Sequence, residues 1–142
     1  MANTVQSNFI KFYDFVYQLG LETHQLHSDT LKVYLSNTTP DAANDTVKTD
    51  IAEITAQNGY SAGGSDITNT WSVSNGTGQL AGADITWTST GAGFGPFRYA
   101  ILYNDTAASD NLIGYWDFGA SVSCANGEEF TLNVGTLVLA VA

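Results

Sequence analysis

The first apolar pattern along the chain has the period of a helix. In TVQSNFIKFYDFVYQLG, Val5, Phe9, Phe12, Val16 and Leu19 recur at three- and four-residue steps and predict one apolar face within residues 1–20. Asn3 or Thr4 is placed to cap its start and Gly20 to end it. Tyr13, Phe15 and Tyr17 widen the apolar surface beyond what one small core requires. Such a helix is either sandwiched on two sides or packed against a neighbouring subunit. TLKVYLSN then alternates as a half-buried strand does, with Leu31, Val33 and Leu35 on one side and Lys32 and Tyr34 on the other. NTTPDAAND reads as a loop around Pro40. DTVKTDIAEI predicts a second, short helix, capped by Asp45, with Val47, Ile51 and Ile54 facing inward.

From Tyr60 onward the period changes. Runs rich in β-branched and aromatic residues (DITNTWSVS, GQLAGADITWTST, FRYAILYND, LIGYWDFG, FTLNV and TLVLAVA) alternate with Gly/Asn/Asp turns. The expected fold is mainly β: an antiparallel sandwich or partly closed, jelly-roll-like barrel, with an N-terminal α-helix and one short additional helix. It is expected to be one domain over 1–142: the helix in 1–20, a strand and short helix in 28–58, and the β-rich core in 60–142. In ITWTST and RYAILYN the alternation predicts one buried face and one face turned to water or a partner. TLVLAVA is continuously apolar, which suits a strand that finishes buried or pairs with another chain.

Charge narrows the partners. With 4 basic residues against 14 acidic ones, the net charge is −10. Lys11, Lys32, Lys48 and Arg98 are scattered, so no basic stripe exists to hold a phosphate backbone, and nucleic acid is not an expected partner. No stretch approaches a membrane span and no signal peptide is recognisable, so a protein made in a cytoplasm, without a membrane partner, is expected. The lone Cys124 rules out an intrachain disulfide and reads as a small buried hydrophobe. Few charges among many Thr, Asn, Ser and Gly residues suit broad, weakly charged contacts with other proteins.

Motifs for chemistry are weak. NGYSAGG at 58–64 has no lysine for a phosphate and follows a helical pattern instead of preceding one; GAGFGP at 91–96 has the wrong spacing. Both read as tight turns and close backbone approaches. His24 and His27, flanked by Glu22 and Asp29, have a spacing that could hold zinc, but no third ligand is suggested and a structural role is expected. There is no GxSxG elbow, no calcium loop around Asp105, Asp110 or Asp117, and Glu128 and Glu129 are adjacent in a turn. No enzyme activity, metal or cofactor is expected. Trp71, Trp87 and Trp116 leave open a sugar-stacking module, with core packing as the commoner role.

The succession SDTLKVYLSNTTP, DIAEITAQNGYSAGG, DITWTSTGAGFGPFRYAILYNDT and LIGYWDFG, behind an aromatic N-terminal helix, resembles a group of small tailed-bacteriophage virion proteins. The resemblance covers most of residues 28–119. It implies a non-enzymatic structural role in the virion, foremost as a head decoration or cement protein that binds the major capsid protein and copies of itself, a trimer being one such form. A tail or baseplate component, or a host-adhesion module, is the alternative. The expected interface is the helix face at Phe9, Phe12, Tyr13 and Tyr17 together with the C-terminal strand at Leu137, Val138, Leu139 and Val141.

Overall fold

The computed structural model describes the backbone of residues 2–5 and 9–139, and the side chains of residues 9–136. The fold is mainly β, with antiparallel sheets in a sandwich-like arrangement and, among the described residues, one α-helix and one 3-10 turn. In chain order the strands are β1 (Ala2–Val5), β2 (Phe9–Lys11), β3 (Leu31–Ser36), β4 (Ser65–Asp66), β5 (Thr70–Ser74), β6 (Thr77–Gly82), β7 (Ile85–Thr88), β8 (Phe94–Asn104), β9 (Leu112–Cys124), β10 (Glu129–Leu132) and β11 (Gly135–Leu139). The helix α1 is Tyr13–Gly20, between β2 and β3.

A five-stranded antiparallel sheet, ordered β2-β9-β8-β3-β4, forms the centre. Two three-stranded sheets, β1-β10-β7 and β11-β6-β5, supply the second layer; β1 joins β10 in parallel. The alternation in β3 and β8 explains how the core divides. Leu31, Val33, Leu35, Ala100 and Leu102 face the main core, with Leu80, Ile85, Trp87, Phe130 and Leu132 of the other sheets. Tyr34, Tyr99, Ile101 and Tyr103 point the opposite way, into a second cluster with Phe12, Ile51 and Leu112.

Two expectations change here. Residues 99–104 are buried on both faces, not on one, because Phe12, just before α1, and Ile51, from the segment between β3 and β4, cover the side expected to be wet. DTVKTDIAEI is not a helix: only Lys48–Asp50 makes a 3-10 turn. Its carbonyls are taken by side chains of β3. The Tyr34 hydroxyl bonds the carbonyls of Ile51 (2.9 Å) and Lys48 (3.1 Å), and the Ser36 hydroxyl donates to Ala52. Ile54 N donates to the Leu35 carbonyl, so the segment is drawn out along β3. Asp45 caps no helix and accepts from Asp41 N instead.

The N-terminal helix is also shorter than its pattern predicts. Phe9–Lys11 pairs with Gly114–Trp116 as an edge strand, and Phe12 N donates to the Ile113 carbonyl (3.1 Å), so helix begins only at Tyr13. A bulge at Ile113 makes this possible, since Leu102 pairs with Gly114 but Tyr103 with Leu112. The extra residue turns Gly114 and Trp116 to the main-core side, and Phe9 packs over both, where a Cβ on Gly114 would collide with its ring.

NGYSAGG is a structural corner. Gly59 and Gly64 have φ of 103° and 74°, and a Cβ on either would strike the carbonyl of Thr88 or Val33.

Candidate functional site

Helix α1 has three kinds of surface. Phe15 is buried in the main core and Leu19 packs against it, while Phe12, just before the first turn, is buried in the second cluster. Asp14 and Gln18 form a polar flank, with Gln18 also accepting from the Thr23 hydroxyl at 2.8 Å. Tyr13, Val16, Tyr17 and Leu21 lie at helical spacing on the outward side, and all four are exposed: Tyr13 by 70% and Tyr17 by 64%. Ile10 of β2 is exposed beside them in sequence. These residues form an apolar stripe that nothing in the chain covers among the described residues.

Of the expected interface residues, the structure brings Tyr13 and Tyr17 together on the surface and takes Phe12 out of it. Phe12 is fully buried against Tyr115 (ring centroids 5.4 Å) and belongs to the core. Phe9 is half-buried against Trp116 (4.9 Å) and is likewise a packing residue. Shortening the helix to start at Tyr13 places 12, 15 and 19 inside and 13, 16, 17 and 21 outside. Val16 and Leu21 are therefore the residues the sequence reading missed, although their spacing to Tyr13 and Tyr17 was present in it. Leu137, Val138 and Leu139 lie in β11, paired with Leu80, Gln79 and Gly78, but their side chains lie outside the described ones; Val141 lies outside the described residues altogether.

Two polar clusters sit inside the fold. In the first, Glu53 accepts from the Tyr60 hydroxyl (2.6 Å), Gly63 N (2.7 Å) and Lys48 Nζ (2.9 Å), and Tyr60 Oη accepts from Leu35 N (3.0 Å). The Tyr103 hydroxyl donates to the Gly63 carbonyl (2.7 Å), and Lys48 Nζ lies 4.6 Å from the centre of the Tyr34 ring. Burial pushes the phenols of Tyr34 and Tyr60 well above their ordinary value, with Glu53 adding to it. Three donors of the chain itself engage the Glu53 carboxylate, and the cluster clasps the 47–64 segment to β3.

The second cluster holds His24, only 4% exposed, beneath Phe15. Asn104 Oδ1 accepts from Thr106 N (3.0 Å) and Ala107 N (3.2 Å), which fixes the amide nitrogen toward His24 Nδ1 (3.1 Å) and Asp29 Oδ2 (2.6 Å). A donor facing Nδ1 makes that nitrogen an acceptor and puts the proton of the neutral ring on Nε2. Nε2 has no hydrogen-bond partner among the described residues. Burial lowers the His24 pKa to about 4, against the pull of Asp29 and Asp14. His27 is exposed, and no group of three or more metal-ligating side chains occurs among the described residues.

Two shallow clefts of about 280 Å³ each share Gly95, one reaching Gln57 and Cys124, the other Thr38 and Glu53. The second is lined by Asn37, Thr38, Glu53 and Thr55, and its one ionisable side chain, Glu53, is already engaged by Tyr60, Gly63 N and Lys48. Trp87 and Trp116 are buried, and Trp71 is half-buried against the main core, so the tryptophans form no stacking platform.

Compared with known proteins, the chain matches no family model, no curated protein and no solved structure.

Proposed function

We propose that this chain is a non-enzymatic structural protein of a tailed-bacteriophage virion, a decoration or cement subunit that docks on the major capsid protein through the outward face of α1. The observation that carries the reading is the exposed stripe of Tyr13, Val16, Tyr17 and Leu21. Large aromatic and aliphatic side chains clustered on a rigid helix are the composition of an interface centre. The helix is preorganised, since Phe12, Phe15 and Leu19 anchor it from beneath, so docking orders little. The resemblance along residues 28–119 supplies the virion context, and the acidic surface suppresses nonspecific aggregation of free subunits.

The test is co-sedimentation of the purified protein with capsids lacking it, followed by cryo-EM. Regular density over the capsid lattice with α1 at the contact is the expected result. The double variant Tyr13→Ser/Tyr17→Ser should keep the wild-type melting temperature, because both side chains are exposed, and lose capsid binding at least tenfold. Unchanged binding by the variant, or density confined to the tail, overturns the proposal.

A further inference from the structure

A second surface lies at the open edge of β5. In the sheet β11-β6-β5, strand β5 is paired on one side with β6 and on the other with nothing among the described residues. Its register runs without a break from Thr70↔Ala81 to Ser74↔Thr77, closed by a turn in which Asn75 and Gly76 both have positive φ (50° and 77°). An edge of this kind presents unpaired N–H and C=O groups, and proteins usually blunt it with Lys, Pro or a bulge. β5 reads TWSVS and carries none of these. Its start is held by Asn69, whose amide donates to the Leu26 carbonyl (2.8 Å), and its middle by Trp71, which packs on the main core. The edge is regular in register and anchored at its start and middle.

Val73 is 62% exposed on this strand, and its cause is local. Its neighbour across the β5–β6 ladder is Gly78, which has no side chain to cover it. Trp71, two residues away on the same face, lies opposite Leu80. About Ser72 the strand is self-complementary: Trp and Val flank the centre, Thr and Ser lie outside them. Charge points the same way. In a chain of net charge −10, no residue between Asp66 and Asp84 is charged, so this edge can meet its own copy without bringing acidic groups face to face.

We propose that β5 pairs antiparallel with β5 of a second copy about a twofold axis at Ser72, joining two three-stranded sheets into one of six. In this register Trp71 of each copy covers Val73 of the other, an aromatic–β-branched cross-strand pair, and Ser72 faces itself. The contact is isologous and closes at two subunits. It rests on the geometry, exposure and lack of charge of β5 and does not depend on what α1 binds.

Analytical ultracentrifugation of the full chain, up to about 1 mM, tests it. Wild type should show a concentration-dependent monomer–dimer equilibrium. Ser72→Glu and Ser72→Lys, each placing like charges across the axis, should weaken dimerisation at least tenfold while leaving the melting temperature unchanged at this exposed position. An equimolar mixture of the two variants should restore a heterodimer. A wild type that stays monomeric overturns the proposal, as does a dimer insensitive to both substitutions. Loss in each variant without recovery on mixing overturns the register.

Discussion

His24 links the interior of this fold to pH. The ring is neutral in the folded chain, with the Asn104 amide donating to Nδ1, so a second proton would have to enter at the atom that already faces a donor. Asp14, from α1, and Asp29, from the loop before β3, both favour the charged ring, but burial outweighs them and the pKa falls from 6.5 to about 4. Below pH 6.5 the unfolded chain takes up a proton that the folded chain refuses. Stability is therefore full above pH 6.5 and declines as pH falls toward 4. Across the whole window the shift amounts to about 3 kcal/mol, and roughly 2 kcal/mol of that is lost between about pH 7 and pH 5. The carboxyls of Asp41, Asp50 and Asp117 are held below their ordinary 3.8 by hydrogen bonds, so the stability they add disappears only at lower pH. Urea unfolding, followed by fluorescence of the buried Trp87 and Trp116 at a series of pH values, reads the effect directly. His24→Asn, which keeps an acceptor for Asn104 but cannot titrate, should be less stable at pH 7 and lose this slope. Equal slopes for wild type and variant between pH 7 and 5 would refute the reasoning.

Other perturbations separate the clasp and the corner from the surface. Glu53→Ala leaves the Tyr60 hydroxyl, Gly63 N and Lys48 without their shared acceptor, and should cost about 2–4 kcal/mol in thermal or urea unfolding. Gly64→Ala should cost about 3 kcal/mol or more by the same assay, because it combines a φ of 74° with a collision against the Val33 carbonyl in β3.

The β character of the chain was legible because its strands obey a period of two between turn residues, and every run named from the sequence after Tyr60 contains strand. What misled lay where two periods fit the same residues. Phe9 and Phe12 continue the helical spacing of Val16 and Leu19, yet Gly114 and the bulge at Ile113 offer Phe9 a place only as strand. That partner is a hundred residues distant, and no local window contains it. In DTVKTDIAEI the helical pattern is sound, but Tyr34 and Ser36 compete for its carbonyls from β3. The two-sided burial of β8 was likewise hidden, since tyrosines on the second face read as polar positions until Phe12 and Ile51 are seen to cover them. Of the residues expected at an interface, the exposure of the tyrosines was legible and the burial of the phenylalanines was not, because the difference turned on where the helix starts.

The two proposed surfaces belong to different parts of the fold, and this decides how they would work together. α1 is tied to the five-stranded sheet through Phe12 and β9, whereas β5 is the outer strand of a separate three-stranded sheet joined to the rest through the main core. A substitution at Ser72 therefore touches no residue that positions Tyr13 or Tyr17, and the two contacts can be lost one at a time. Neither surface is large: one is a single two-turn helix face, the other a five-residue strand. Each alone gives modest affinity. If both proposed contacts form on one repeating lattice, the second becomes effectively intramolecular, and two weak contacts then hold far better than either. A chain with few charges and two small proposed contacts is thus suited to assemble where a lattice organises it, while its net charge of −10 keeps the β5 association weak in free solution.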